Sequence, residues 1–350
     1  MAYALLMLLL YVVAFLCTLT LSSPALRLFM GLAAGVFSGS LFMIGHDACH
    51  GSYTSRRALN RVLGRIAFLP SYHTYSLWDL SHNRIHHVYT NLKGKDFVWT
   101  PLSKAEFDAL PWGKRLLYRS FRTPLGLALY YPLEIWSSRL VFPRRAYLDQ
   151  PRRIYTLDRL LVLSFFLVQL LAIVAAGGGA RSHGWSPWVQ AALVSLVVPW
   201  LVFNWMIGFV IYFNHTHPTV PWFDKRSEWS CSSNAIRSTV RLKFPRWTLM
   251  FASNIMDHVA HHVDPRVPLV RLKEAQQRLE EVLPGQIVVQ EWSITELLGI
   301  LHRCKLYDYE AHCWIDFHGS PTTARLVPDP LRASSADDGR PGSDPVRHAG

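Results

Sequence analysis

The sequence predicts an all-α membrane protein in which four transmembrane helices form two hairpins and carry a helical cap on one side of the bilayer. Half of the 350 residues are hydrophobic and only 17% are charged, whereas soluble domains carry about 25% charged residues. A helix needs about 20 apolar residues to span a bilayer. Four stretches meet this length, at about residues 2–21, 25–45, 160–176 and 188–213.

The first stretch, residues 2–21, could be mistaken for a signal peptide, and a fifth, shorter apolar stretch lies at residues 125–136. The first lacks the basic start and small-residue cleavage site of a signal peptide, so we interpret it as a span. The fifth, residues 125–136, is too short for a span and contains Pro132 and Glu134. We therefore expect a helix or re-entrant piece at the membrane interface.

The distribution of basic residues predicts the orientation. Residues 46–156 contain seventeen Lys and Arg, whereas the two short links between paired spans hold one Arg each. The positive-inside rule then places both termini and the cap, residues 46–156 and 214–318, in the cytoplasm. The membrane domain is predicted to cover 1–318. Residues 319–350, rich in Pro, Gly, Ser, Asp and Arg, are predicted to form a disordered tail.

Glycine and cysteine patterns add less specific information. Gly31, Gly35 and Gly39 recur at four-residue spacing in the second span, which predicts close packing against another helix. The five cysteines form no CxxC pair, so we interpret them as reduced residues without a framework role. The net charge of +12 suits either an acidic partner protein or an anionic membrane face.

Histidines are concentrated in three short segments: HDACH at 46–50, HNRIHH at 82–87 and HVAHH at 258–262. On a helix, residues three or four positions apart share a face. Each segment is therefore expected to direct at least two imidazoles to one side, and the predicted topology puts all three segments at the same membrane face. The eight histidines concerned are His46, His50, His82, His86, His87, His258, His261 and His262.

Eight imidazoles from three segments suggest a site for two metal ions. A tetrahedral zinc site uses four ligands, so the set exceeds what one such ion needs. Imidazole suits iron, copper, zinc and nickel, and ligand type alone does not choose among them. The remaining histidines are single, and we interpret most of them as structural.

The three segments resemble the histidine boxes of the membrane fatty acid desaturase superfamily. The flanking words GHDACHGS, SHNRIHHVYTN, FNHTHPTVPW and HVAHHVDPRVPL resemble the branch of acyl-lipid delta-12 and omega-3 desaturases, over about residues 30–280. The resemblance implies a non-haem di-iron centre held by the eight box histidines. It also implies a further ligand after the last span, for which His215 is the first candidate and His217 the second.

Other residues near the boxes have open roles. Asp47 and Asp257 adjoin box histidines and could orient imidazole tautomers, or could cap helices or face solvent. Asn204 lies within the fourth span and must face protein or a cavity, either towards the site or in an interhelical hydrogen bond. Asp79 stands in WDLSH, where the family often has arginine, which puts partner or headgroup contacts in doubt.

The resemblance implies an oxidoreductase that desaturates a fatty acyl chain with dioxygen as co-substrate. Removing hydrogen from an unactivated methylene requires an oxidant that a metal cofactor supplies. The acyl chain is expected in an apolar tunnel between the second and fourth spans. The sequence contains neither a GxGxxG segment nor a fused haem segment, so an external electron donor, ferredoxin or cytochrome b5, is implied.

Three alternatives use the same residues differently. Hydroxylation or ketolation of a lipid would need the same metal chemistry, and sequence does not distinguish it. A metal transporter would place ionisable groups along the spans, which are nearly uncharged here. A soluble di-iron carboxylate bundle would use Glu-x-x-His motifs, and none occurs.

Overall fold

The computed structural model describes residues 1–143, 148, 152–176, 187–232, 235–245 and 253–327. It is mostly helical, which confirms the all-α prediction apart from four short strands. Most of the predicted link at 177–187 and most of the predicted tail, residues 328–350, lie outside the described residues.

Four helices in the described part of the chain are long and apolar enough to cross a membrane. Each overlaps one predicted span, and the ends differ by at most seven residues. They are α1 (Ala2–Thr20), α2 (Pro24–Cys49), α8 (Arg153–Ala175) and the continuous span Pro187–His215, which comprises α9 (Pro187–Ala192), a π-helical turn (Leu193–Val197) and α10 (Val198–His215).

The link between α1 and α2 is short and well capped. Ser23 accepts a hydrogen bond from the Leu26 backbone, and Pro24 occupies the first turn of α2, where its missing N–H costs nothing. Arg27 donates from Nε to the carbonyl oxygen of Thr18 at 2.6 Å. Small and apolar residues of α1, including Ala4, pack against α2.

The glycine ridge of α2 packs against the fourth span, as its spacing predicts. A Cβ atom at Gly31 would lie 2.5 Å from the carbonyl oxygen of Val194, and one at Gly35 would lie 2.6 Å from Cβ of Val202. Such distances are far below van der Waals contact, so the two backbones approach to a degree that only glycine permits.

The cap between α2 and α8 consists of short helices. Its helices are α3 (Arg57–Phe68), a 3-10 turn (Leu69–Ser71), α4 (Tyr75–Asp79), a π-helix (Leu80–His86), α5 (Lys104–Ala109), α6 (Trp112–Phe121), α7 (Leu127–Tyr130) and a second long π-helix (Tyr131–Val141). The last two cover the fifth apolar stretch. A Cβ atom at Gly208 would lie 2.2 Å from the carbonyl oxygen of Leu127, so this helix packs closely against α10.

The chain after α10 completes the cap and includes strands that sequence analysis missed. Its helices are α11 (Arg226–Ser232), α12 (His258–Val263), α13 (Leu269–Val282) and α14 (Ile294–Arg303). Strands β1 (Val240–Lys243) and β2 (Val288–Glu291) pair in parallel, and β3 (Leu306–Asp308) and β4 (Cys313–Ile315) pair antiparallel. Three- and four-residue strands are too short to show a clear alternating pattern.

The first part of the predicted tail is attached to β4. The backbone N–H of Thr322 donates to the carbonyl oxygen of Trp314, and the backbone N–H of Leu326 donates to the carbonyl oxygen of His312. Residues 319–327 therefore pack on the cap, and disorder beyond them stays a prediction.

The close contact between α2 and α10 predicts a stability effect. Gly35→Ala should force the helices apart and cost about 1–3 kcal/mol, the usual range for overpacking. Gly113→Ala on α6 is the matched control, because a Cβ atom there has no neighbour within 4 Å. Thermal unfolding in detergent should show a lower melting temperature for the first variant alone, and equal melting temperatures would contradict the packing.

Candidate metal centre

Eight histidines converge in two groups of four at one end of the spans. Within each group, one ring nitrogen of every member lies within 4.8 Å of the others. The first group contains His46, His50, His82 and His261, and the second contains His86, His215, His258 and His262. All eight belong to the predicted set of nine, and the ninth is His87.

The spans and short cap helices position these side chains. His46 lies in the last turn of α2 and His50 directly follows that helix, while His215 is the last residue of α10. The HVAHH segment forms most of α12. The three histidine segments and the end of α10 thus meet where the apolar spans end. The histidine that α10 supplies is His215, which was the first candidate for a further ligand after the last span.

The HNRIHH segment corrects the predicted spacing. It lies in a π-helix, whose hydrogen bonds link residues five apart, and His87 N–H donates to the carbonyl oxygen of His82 at 3.0 Å. His82 and His87 therefore come together, with Nε2 atoms 3.1 Å apart. His86 belongs to the other group, although we expected it to act from one face with His82.

The HVAHH segment is divided between the groups in a similar way. His258 and His262, four residues apart, share the second group, whereas His261 belongs to the first. His87 lies between the groups, since its ring centroid is 4.8 Å from that of His261 and 4.3 Å from that of His262. The adjacent histidines His261 and His262 therefore belong to different groups.

His217, the second candidate after the last span, has other partners. Its Nδ1 lies 2.7 Å from Oγ1 of Thr219, and its Nε2 lies 3.3 Å from Oε1 of Gln290. It belongs to neither histidine group.

Nitrogen atoms in both groups lie at the separation expected for ligands of one ion. The Nε2 atoms of His46 and His82 are 3.2 Å apart, and those of His215 and His258 are 3.0 Å apart. Two nitrogens bound at about 2.1 Å to one ion, at right angles, lie about 3.0 Å from each other. The separations therefore fit metal ligation in both groups.

The protonation pattern supports the same interpretation. Nδ1 of His258 lies 3.2 Å from the carbonyl oxygen of Ile255, so this nitrogen carries the proton and Nε2 has a lone pair. Nδ1 of His262 lies 3.3 Å from Oγ1 of Thr90, which itself donates to the carbonyl of His86. Nε2 of His262 has no hydrogen-bond partner in the described part of the chain. A buried polar atom without a partner is costly, and a metal ion bound to these nitrogens would remove that cost.

Burial favours the neutral form of six box imidazoles. Desolvation, followed by repulsion from neighbouring imidazoles, lowers the pKa well below its usual value in six histidines that lie outside the spans: His50, His82, His87, His258, His261 and His262. A neutral imidazole has the free lone pair that a metal requires.

Asp96 is the carboxylate that orients a box histidine, and sequence analysis did not identify it. Its Oδ1 lies 3.0 Å from Nδ1 of His86. The same carboxylate accepts backbone N–H groups of Asn91 at 2.9 Å and Val98 at 3.1 Å. It is fixed by the loop around it, and it accepts a hydrogen bond from Nδ1 of His86, as in carboxylate–histidine–metal arrangements.

The three residues suggested from sequence for this supporting role have other contacts. Oδ2 of Asp47 accepts from the backbone N–H of Leu269 at 2.9 Å, which ties α13 to α2. Oδ1 of Asp257 accepts from Nε of Arg241 at 2.7 Å. Asn204 donates to the carbonyl oxygen of Trp200, one turn earlier in the same span. None of these three forms a hydrogen bond with a box histidine within the described ranges. Oδ1 of Asp47 nevertheless lies 3.8 Å from Nδ1 of His46, so a supporting role for Asp47 stays a prediction.

An apolar pocket adjoins both histidine groups. Five box-group histidines reach its wall: His46, His82, His86, His215 and His258. The rest of the lining is almost entirely hydrophobic and comes largely from α2, α10 and the second π-helix, including Phe42, Met43, Ile135, Leu140, Ile207 and Ile211. The pocket lies between the second and fourth spans, where the sequence predicts an acyl tunnel.

Comparison with known proteins points to one family. The family model described as "Fatty acid desaturase" matches residues 22–293. The chloroplastic omega-6 fatty acid desaturase of Glycine max is 28% identical over 275 residues, covering 77% of this chain and 60% of that protein. The sn-1 oleoyl-lipid 12-desaturase of Synechocystis sp. is 28% identical over 273 residues, covering 77% and 72%. The chain thus spans about three fifths of the length of the chloroplastic relatives it matches.

The role of Asp96 predicts a metal-binding defect. Asp96→Asn should weaken metal retention about 10- to 100-fold, the usual effect of losing such a carboxylate, because His86 loses its charged acceptor. Bound metal measured by mass spectrometry after competition with a chelator checks this. Asp257→Asn is the control, since its carboxylate contacts Arg241 and no box histidine. A larger metal loss in the control would contradict the assignment.

Proposed function

Because this chain belongs to the fatty acid desaturase family, we propose that it is an oxidoreductase that introduces a double bond into a fatty acyl chain of a membrane lipid. The observation that carries the proposal is the apolar pocket whose wall includes histidines of both groups. A short methylene segment of an acyl chain would lie against this wall, and a metal centre beside it would supply the oxidant needed to attack a methylene.

The nine histidines fit a pair of iron ions. The first group would hold one ion and the second group the other, with His87 within reach of both. A bound di-iron centre would supply oxidation of C–H bonds with dioxygen. The resemblance of the three boxes to the family supports iron over the other metals that imidazole accepts.

The overall reaction oxidises both the acyl chain and an external electron donor, and dioxygen is reduced. Two hydrogens leave adjacent carbons of the acyl chain, and a carbon–carbon double bond forms between them. Two electrons from an external donor and two protons from solvent complete the reduction of dioxygen to two waters. The chain itself binds no flavin or nicotinamide through a recognisable motif, so a ferredoxin or cytochrome b5 is the proposed source of electrons.

The pocket residues would position the substrate and exclude water. Phe42 and Met43 of α2 and Ile207 and Ile211 of α10 form opposite walls. An acyl chain held between them is oriented before the reaction, which removes much of the entropic cost of reaching the reactive geometry. Water is kept out by the same apolar side chains.

We also propose that the spans form two hairpins, with the metal centre and both termini in the cytoplasm. The excess of Lys and Arg in residues 46–156 supports this orientation. The names of the relatives support an acyl chain carried on a lipid and desaturated at the delta-12 position.

Lipid analysis tests the proposed activity. A host that expresses the chain should accumulate a new unsaturated acyl lipid, and His86→Ala should abolish it because the second group loses a ligand. His318→Ala is the control, since His318 is exposed and outside both groups. Mass spectrometry distinguishes a lost pair of hydrogens from an added oxygen, and an added oxygen would instead indicate a hydroxylase.

Filling the pocket should separate substrate binding from metal binding. Ile211→Trp places a bulky side chain in the pocket between α2 and α10 and should reduce desaturation at least tenfold, with bound iron unchanged. Leu201→Trp on α10 is the control, because Leu201 is exposed and does not line the pocket. Full activity in the Ile211 variant would mean that the acyl chain binds elsewhere.

A further inference from the structure

A basic aromatic patch lies on the surface of the cap near the second histidine group. We define the Tyr89 patch as Tyr89, Lys95, Arg226 and Trp229. The rings of Tyr89 and Trp229 have centroids 6.0 Å apart. Nζ of Lys95 lies 5.9 Å from the Tyr89 ring centroid, and Cζ of Arg226 lies 6.0 Å from it. Both cations are exposed and both aromatic side chains are partly buried.

A short chain of hydrogen bonds connects the Tyr89 patch with a candidate metal ligand. Nε1 of Trp229 donates to the carbonyl oxygen of Thr90 at 2.9 Å. Oγ1 of the same Thr90 lies 3.3 Å from Nδ1 of His262. The indole is therefore joined to an imidazole of the second group through one intervening residue.

The charges around the patch favour an acidic partner. Segments 84–95, 224–229 and 263–266 together contain six cations and three carboxylates. Glu228 is paired with Lys225 and Asp264 with Arg266. Among the described residues, Lys95 and Arg226 have no carboxylate within ion-pair distance and so remain available to a partner.

The surroundings of the patch indicate a surface in water. Exposed residues of the spans are mainly apolar, such as Leu5 and Leu9, as expected for contact with lipid. The neighbours of Trp229 include the exposed polar residues Ser227 and Ser230. Two exposed valines, Val88 and Val263, directly follow the box histidines His87 and His262. An exposed apolar side chain such as Val88, the chain neighbour of Tyr89, suits a transient protein contact beside charged residues.

We propose that the Tyr89 patch is the docking surface for the electron donor, a small acidic one-electron carrier protein. The donor delivers one electron per encounter, and two encounters supply the two electrons that the reaction consumes. The bonds from Trp229 through Thr90 to His262 form the path from the docking surface to the metal centre. The inference rests on the proposed function, because only a redox enzyme of this kind needs such a donor.

Charge reversal tests the docking surface by direct binding. The double variant Lys95→Glu, Arg226→Glu should weaken binding of a reduced plant-type [2Fe–2S] ferredoxin, or of soluble cytochrome b5, at least tenfold. The binding should also depend less on ionic strength than in the unchanged protein, because charge steers such encounters. Arg271→Glu, Arg278→Glu on α13 makes the same change in net charge at exposed positions and should bind within twofold of the unchanged protein.

A kinetic measurement separates docking from chemistry. With the carrier as donor, the double variant should show a carrier KM raised about tenfold. With dithionite as reductant, a single turnover should give the same yield of unsaturated lipid as the unchanged protein. Trp229→Phe removes the indole N–H that bonds to Thr90, so with saturating carrier it should slow reoxidation of the bound carrier severalfold.

The outcomes distinguish this proposal from the proposed function. Equal carrier binding by the double variant and the unchanged protein overturns the docking surface, as does failure of both carriers to bind the unchanged protein. Loss of binding to vesicles containing anionic phospholipid, with carrier binding retained, would make the patch a membrane contact and also overturn it. Weakened carrier binding in a chain that desaturates nothing would sustain the docking surface and reject the proposed function.

Discussion

The convergence of unprotonated imidazole nitrogens is the constraint on which the rest of the structure depends. Nε2 atoms from separate segments lie about 3 Å apart, as those of His215 and His258 do. Nδ1 of His258 donates to a backbone carbonyl, so its Nε2 presents a lone pair to its neighbours. Unfavourable contacts between such nitrogens add to the cost of a buried acceptor without a partner, about 1–3 kcal/mol. A bound cation removes both penalties. The fold and the metal are therefore expected to stabilise each other, because the arrangement is unfavourable without the metal.

The doubling of histidines in two of the boxes has a geometric explanation. A single regular helix turn directs neighbouring side chains about 100° apart, so one box cannot place three imidazoles around one ion. The π-helix at Leu80–His86 brings His82 towards one group and leaves His86 in the other. In α12, His261 and His262 diverge in the same way. The adjacent histidines of α12 thus belong to different groups, and HNRIHH also supplies both groups, whereas both histidines of HDACH lie in the first group.

The sequence predicts well those features that depend on local composition. The spans follow from hydropathy, and the box histidines follow from clustering, because each signal lies within a short window. Asp96 could not be found in this way, since it reaches His86 through a loop held by the backbone of Asn91 and Val98. The π-helix was missed because sequence periodicity of six residues does not distinguish it from an α-helix. The contacts of Asp47 and Asp257 depend on α13 and Arg241, which are distant in sequence.

The packing of the spans determines the geometry of the metal centre in this protein. His46 and His215 lie at the ends of α2 and α10, so their separation depends on how closely those helices approach. Gly31 and Gly35 allow that approach, and larger residues nearer the histidines, such as Phe42 and Ile211, leave the apolar pocket between the same helices. The substrate pocket and the two histidine groups therefore share a single structural support. A substitution deep in the spans should therefore shift the positions of the histidines at the metal centre, even though it alters no ligand.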